Sequence, residues 1–140
     1  VQYERHVGGR SRVAMCFPEP TEQIFLSGYC GAFAVVLHNK HPWPLGVFVL
    51  RTESDYPDEA WRTTIAHAVC EIPSKGLVAD VKGPRPKEEV YPDLRYSSEP
   101  DDIGFEEITS EQELINRMLI RRAEIDFAAR GYRKFEGRFE

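Results

Sequence analysis

The sequence predicts an α+β fold, in which a cysteine-bearing helix packs on a small antiparallel sheet and a long helix closes the chain. Short apolar runs bounded by Pro and Gly fill residues 45–82, as in β-hairpins. Apolar residues at helical spacing occur on either side, at 30–39 and 110–130. The chain has 140 residues, is 41% hydrophobic and 29% charged, and is expected to form one soluble domain over residues 1–140.

The first half of the chain begins with a segment of weak pattern and continues into a helix. Residues 1–20 contain several Gly and Pro residues and little periodicity, so we expect an irregular arm. The helix is predicted from about Cys30 to Asn39, because Phe33, Val36 and Leu37 fall on one helical face. Pro42 and Pro44 then end this segment.

The central segment predicts a sheet. Residues 45–50 form a short apolar run typical of a buried strand, and residues 51–64 are interpreted as a polar loop. Two further runs of strand character, 65–72 and 77–82, flank the turn residues 73–76 and indicate a hairpin. We expect residues 83–86 to end the sheet, residues 87–102 to be a polar, proline-broken stretch, and residues 103–108 to add an edge strand.

The C-terminal segment gives the firmest structural prediction. Ser110 and Glu113 have the spacing of a capping box, and apolar residues follow at helical spacing. We therefore expect a long helix over about 110–130.

Cys30, His67 and Asp80 are the candidate catalytic residues. A cysteine in the first turn of a helix lies near free amide groups and the positive dipole end, which favour a thiolate. His67 on a central strand could serve as its base, and Asp80 on the next strand could fix the imidazole tautomer. The backbone N–H of Cys30 and the side chain of Gln23 are the candidate oxyanion-hole donors.

The same three segments resemble the papain-like cysteine peptidase superfamily, most closely its NlpC-type and transglutaminase-like branches. The matching stretches are GYCGAFAVVLH, IAHAVCEI and GLVADVKG, within a core of about residues 23–83. The resemblance implies a papain-like core in which Cys30, His67 and Asp80 form a triad. It also implies acyl transfer through a thioester of Cys30, with a protein, peptide or amide as substrate. Hydrolysis by a peptidase, amidase or deamidase and transglutaminase-like transfer to an amine both stay open.

Two other interpretations compete with the triad. A metal could be ligated by soft or borderline side chains, namely Cys30, His38, His41, His67 and Cys70. The closely spaced pair of His67 and Cys70 should, however, lie on opposite faces of a strand. We expect neither a metal nor a cofactor. The second interpretation is an inactive papain-like module that binds a protein or nucleic acid through a basic tail, in which Arg130, Arg133, Lys134 and Arg138 alternate with Tyr132, Phe135 and Phe139. We prefer a tail paired with the acidic segment 99–113, without nucleic acid as a partner.

Composition limits compartment and partners only broadly. The net charge of −5 disfavours bulk attraction to nucleic acid, and no apolar run is long enough to span a bilayer. Three cysteines are too few for a disulfide scaffold, which favours the reducing cytoplasm. The chain starts at Val1 without an apolar signal-peptide core, which is consistent with a trimmed start. The oligomeric state stays open.

Overall fold

The computed structural model describes residues 2–7, 10–15, 17–53, 61–94 and 103–140. The strands in this part of the chain are β1 (Gln2–Val7), β2 (Arg10–Met15), β3 (Leu45–Glu53), β4 (Trp61–Ile72), β5 (Leu77–Asp80), β6 (Gly83–Arg85) and β7 (Ile103–Ile108). The helices are α1 (Glu22–Leu26), α2 (Cys30–Lys40), α3 (Lys87–Val90), α4 (Glu111–Met118) and α5 (Arg122–Phe135), with 3₁₀ turns at Tyr91–Leu94 and Glu136–Phe139.

These elements confirm the α+β class. An antiparallel sheet of five strands has the order β6-β5-β4-β3-β7, and β1 and β2 form a separate antiparallel pair. The hairpin of β4 and β5, the strand at β3 and the edge strand β7 are all present as predicted. Among the described residues, no helix is both long and apolar enough to cross a bilayer.

The two faces of the sheet carry separate cores because side chains alternate along each strand. Ala68 and Cys70 face the core that contains α2, whereas Val69 faces the other core, which α3 and its following 3₁₀ turn cover. Helix α2 is apolar on nearly every side, and its residues 30–37 are all buried. A helix of this composition is stable only inside a core, so its N-terminal residue Cys30 is held in a fixed position.

Four predictions on irregular segments need correction. Residues 1–20 are not an irregular arm, because β1 and β2 pair in register from Gln2 with Met15 to Val7 with Arg10. The predicted polar loop 51–64 is strand at both ends, in β3 and β4, and its middle lies outside the described residues. Residues 83–85 continue the sheet as β6, which hydrogen bonds with β5 despite Pro84 because an edge strand tolerates a missing N–H. The stretch after it contains α3 and a 3₁₀ turn.

The predicted C-terminal helical region is helical, but it consists of two helices. Ser110 caps α4 by accepting a hydrogen bond from the N–H of Glu113 at 3.1 Å, while the Glu113 carboxylate accepts from Thr109. Helix α4 ends at Leu119, which adopts the left-handed conformation with φ of 55°. Helix α5 then packs on α2, with the rings of Phe33 and Tyr132 6.4 Å apart.

Candidate active site

Cys30 is the first residue of α2, as predicted, and its thiol is free and buried. No side chain caps this helix at Tyr29, and the first strong backbone bond of the turn runs from the Phe33 N–H to the Tyr29 carbonyl at 3.1 Å. The N–H groups of Gly31 and Ala32 have no backbone acceptor among the described residues. The sulfur therefore lies in a turn whose free amides favour negative charge.

His67 lies on β4 beside a break in the strand pairing. Phe48 pairs with His67 and Val49 pairs with Ile65, so Ala66 is an extra residue in the register. A bulge of this kind turns neighbouring side chains and is frequent next to active sites. The imidazole is only 1% exposed, and its Nε2 donates to Asp80 Oδ2 at 2.9 Å.

The other ring nitrogen of His67 has no partner among the described residues, although the Cys30 side chain is nearby. Nδ1 is buried and has no hydrogen bond of good geometry within the described residues. Burial by itself lowers the pKa of His67, but the hydrogen bond with Asp80 and the nearby Cys30 side chain outweigh it and raise the pKa to about 9. The imidazole is therefore protonated at neutral pH, with its Nε2–H bonded to Asp80 and its Nδ1–H without a partner within the described residues.

Asp80 is fixed by three donors. Its Oδ1 accepts from the Lys82 backbone N–H at 2.9 Å, and its Oδ2 accepts from both His67 and Arg85, the latter at 2.6 Å. Burial raises the pKa of Asp80, but the hydrogen bonds and charges of His67 and Arg85 outweigh it and lower the pKa below its ordinary value. Asp80 is thus a carboxylate that can hold the imidazole in one tautomer and stabilise its positive charge.

Arg85 is a site residue that the sequence did not reveal. Its guanidinium is nearly buried on β6 and contacts Asp80 through one nitrogen, while Nη1 lies 2.7 Å from Asp93 and donates to the Glu89 carbonyl at 3.0 Å. Planar guanidinium groups suit such forked contacts between two carboxylates. The sequence gives only a weak indication of this role, because Arg85 lies five residues after Asp80. Their contact can be predicted only once residues 83–85 are known to form a strand that pairs with β5.

The predicted oxyanion-hole donors are less well placed. The Cys30 N–H donates to the Ser27 carbonyl at 3.4 Å, a long bond that partly occupies it. Gln23 is exposed on α1, and none of the hydrogen bonds described for that region links its side chain to Cys30. The free amides of Gly31 and Ala32 are the better candidates, since they lie in the same turn as the sulfur.

The contacts described for Cys70, His38 and His41 lie outside this cluster. Cys70 is fully buried and donates its S–H to the Ala34 carbonyl at 3.3 Å, and burial raises its pKa to about 12. Cys16 lies outside the described residues. His38 contacts the Trp43 carbonyl at 2.8 Å, and His41 stacks on the Trp43 ring. Within the described part of the chain, no three His, Cys, Asp or Glu side chains lie together as metal ligands would.

The basic tail has a different environment from the one expected. Tyr132 and Phe139 are buried in the main core, so two of the three aromatic rings are not free to stack on bases. Arg138 pairs with Glu22 at 2.8 Å and donates to the Val81 carbonyl, and Lys134 donates to the Pro20 carbonyl. These partners belong to the first 81 residues rather than to the acidic segment 99–113.

Comparison of the chain with protein-family models, with curated proteins and with solved structures gave no match. The assignment of function therefore depends on the geometry of Cys30, His67 and Asp80.

Proposed function

We propose that the protein is a cysteine-dependent acyl-transfer enzyme of the papain-like superfamily, with Cys30 as nucleophile, His67 as acid and base, and Asp80 as the residue that orients His67. One observation carries this proposal. His67 is buried with Nε2 bound to Asp80, its Nδ1 has no hydrogen-bond partner within the described residues, and the Cys30 side chain is near enough to raise the pKa of the imidazole. A nucleophile, a base and an orienting group in this relation are the parts that covalent catalysis requires.

The first half of the reaction forms a thioester. With the thiol proton transferred to His67, the Cys30 thiolate attacks the substrate carbonyl, and negative charge develops on the carbonyl oxygen near the free N–H groups of Gly31 and Ala32. As the carbon–nitrogen or carbon–oxygen bond breaks, protonated His67 gives its Nδ1 proton to the leaving amine or alcohol. The Asp80 carboxylate keeps the imidazole in place throughout, because its own position is fixed by Arg85 and Lys82.

The second half returns the enzyme to its starting state. Neutral His67 removes a proton from water or from an acceptor amine, which attacks the thioester carbonyl. The carbon–sulfur bond then breaks, and the sulfur leaves as a thiolate beside protonated His67. With water as the acceptor, the reaction is hydrolysis, as in a peptidase, amidase or deamidase. With an amine as the acceptor, it is transglutaminase-like transfer, and the proposal includes both reactions.

The papain-like assignment is supported by order and placement. The cysteine begins a buried helix, the histidine lies on a central strand and the aspartate lies on the next strand of an antiparallel sheet. The inactive-module alternative receives less support, because Tyr132 and Phe139 are buried.

The proposal is tested by alkylation at pH 6, where an ordinary thiol is almost entirely protonated. Iodoacetamide should label wild-type Cys30 at least tenfold faster than it labels glutathione, with the labelled residue identified by mass spectrometry. His67→Ala should remove this advantage, and Cys70→Ser serves as the matched control that keeps it. Equal labelling rates in wild type and His67→Ala would contradict coupling between the thiol and the imidazole.

A further inference from the structure

A cleft opens between β4 and α4, near the first turn of α2. It has a volume of about 380 Å³, and its described lining residues are Thr64 and Ile65 on β4 and Arg117 and Met118 at the end of α4. Ile65 precedes His67 by two residues on the same strand. On the other side, the Met118 sulfur lies 2.6 Å from the position that a Cβ atom on Gly31 would occupy. The cleft is thus bounded by neighbours of both Cys30 and His67.

The wall of the cleft next to α2 is an apolar turn formed by residues 118–120. Met118 and Ile120 both lie against Gly31, with Ile120 Cδ1 2.9 Å from the same Cβ position. Leu119 between them has φ of 55° and is 83% exposed. A left-handed leucine is an uncommon and strained conformation, and here it turns its two neighbours toward the nucleophile helix.

The charge in the cleft is already neutralised. Arg117 is the charged side chain among the described lining residues, and its Nη1 lies 3.0 Å from Glu106 and 3.6 Å from Glu113. Two carboxylates against one guanidinium leave no net positive charge to attract an acidic substrate group. The surfaces that remain are the thioether of Met118, the side chain of Ile65 and the side chain of Thr64, which favour an apolar occupant.

We propose that this cleft binds the acyl side of the substrate and selects an aliphatic group next to the reacting carbonyl over a charged one. The inference rests on the proposed function, because it assumes that the acyl carbon reaches Cys30. It assigns Met118 and Ile65 as the specificity-determining residues. Gly31 must lack a side chain for the same reason, since a Cβ there would meet Met118 and Ile120.

The test uses p-nitrophenyl esters, because release of nitrophenolate reports acylation of the enzyme directly. The series is acetate, butyrate and hexanoate, with the hydrogen succinate ester as the charged member and Cys30→Ser as the background. In wild type, the acylation rate should rise with chain length, by up to about fourfold for each methylene that becomes buried. The succinate ester should react more slowly than butyrate.

Variants locate the preference. Met118→Ser should lose the gain with chain length, so that hexanoate reacts no faster than acetate, and Met118→Leu should restore the gain. Ile103→Ser is the matched control, because Ile103 is a half-buried aliphatic residue packed on the opposite core and should leave the gain unchanged. Circular dichroism melting of each variant confirms that it is folded under the assay conditions.

The possible results separate the two proposals. Acylation that needs Cys30 and His67 but is equally fast for all chain lengths, or fastest with succinate, would overturn the specificity inference and leave the proposed function in place. A chain-length gain that persists in Met118→Ser would also overturn it. No release above the Cys30→Ser background would overturn both.

Discussion

Removal of the charge of Asp80 should destabilise the protein strongly as well as impair the site. The two carboxylate oxygens of Asp80 accept hydrogen bonds from three donors, His67, Arg85 and the Lys82 N–H. In Asp80→Asn, only one oxygen remains to accept them. If the amide oxygen replaces Oδ2, the amide NH₂ group faces the Lys82 N–H, and if it replaces Oδ1, the NH₂ group faces two cationic donors. Either orientation places donor against donor and leaves two buried cationic side chains without their carboxylate.

The magnitude follows from the burial of the three partners. Asp80 is 3% exposed and His67 is 1% exposed, and removal of one member of a buried ion pair costs about 3–5 kcal/mol. Arg85 keeps its contact with Asp93 at 2.7 Å, which puts the expected loss near the lower limit, about 3 kcal/mol. For a domain of this size, that loss corresponds to a fall in Tm of roughly 10 °C.

The assay is thermal unfolding at pH 7 followed by circular dichroism. Asp126→Asn is the matched control, because its pair with Arg122 is largely exposed and should be worth less than about 1 kcal/mol. Alkylation of Cys30 at pH 6 in the same samples should be slower for Asp80→Asn and unchanged for Asp126→Asn. A Tm for Asp80→Asn within about 2 °C of wild type would refute the view that this carboxylate holds the buried network together.

Three further predictions concern other parts of the same structure. The pKa of His67 is raised from 6.5 to about 9 in the folded state, so its contribution to stability is complete below pH 6.5 and is lost as the pH rises to about 9. Across this pH interval, the free energy of unfolding of the wild type should decline by up to about 3 kcal/mol, and His67→Gln should abolish the decline. An equal decline in both proteins would contradict this contribution of His67. Arg85→Lys should lower the Tm and slow alkylation of Cys30, because a single ammonium group cannot contact both Asp80 and Asp93 as the planar guanidinium does. Wild-type values in both assays would show that this double contact is dispensable. Leu119→Gly should raise the free energy of unfolding, measured by urea titration, by up to about 1 kcal/mol. The reason is that glycine adopts φ of 55° without strain and that the leucine side chain is exposed. A lower free energy of unfolding would instead show that the leucine contributes packing.

The part of the site that could be predicted from sequence is the part that local patterns determine. Cys30 begins a segment of helical spacing, and His67 and Asp80 lie on two runs joined by turn residues, so each could be assigned to its element without knowledge of the fold. The hydrogen bond between His67 and Asp80 then follows from the pairing of adjacent strands. The proximity of Cys30 to His67 depends on how α2 crosses the sheet, which no local pattern specifies.

The features that sequence missed are determined by contacts between distant segments or by weak patterns. In β1 and β2, apolar and charged residues alternate poorly, although Gly8-Gly9 between two short runs is itself a hairpin signal. The helical periodicity of residues 111–129 continues through Leu119, so the left-handed residue that divides α4 from α5 leaves no trace in the pattern. The role of Arg85 depends on β6, Asp93 and Glu89, which come together only in the folded chain.

The position of Arg85 also explains why the pair of His67 and Asp80 can be both charged and buried. When an isolated pair of imidazolium and carboxylate is buried, the loss of hydration free energy exceeds the gain from their electrostatic attraction, unless further hydrogen bonds satisfy both groups. Here Arg85 and the Lys82 N–H supply those bonds to Asp80, and Arg85 is in turn held by the Glu89 carbonyl of α3 and by Asp93. The layer that covers one face of the sheet therefore fixes the orientation of His67, while α2 on the other core supplies the thiol. An imidazole placed in this way needs both layers to be folded, so we expect loss of the α3 contacts to Arg85 to reduce the reactivity of the Cys30 thiol.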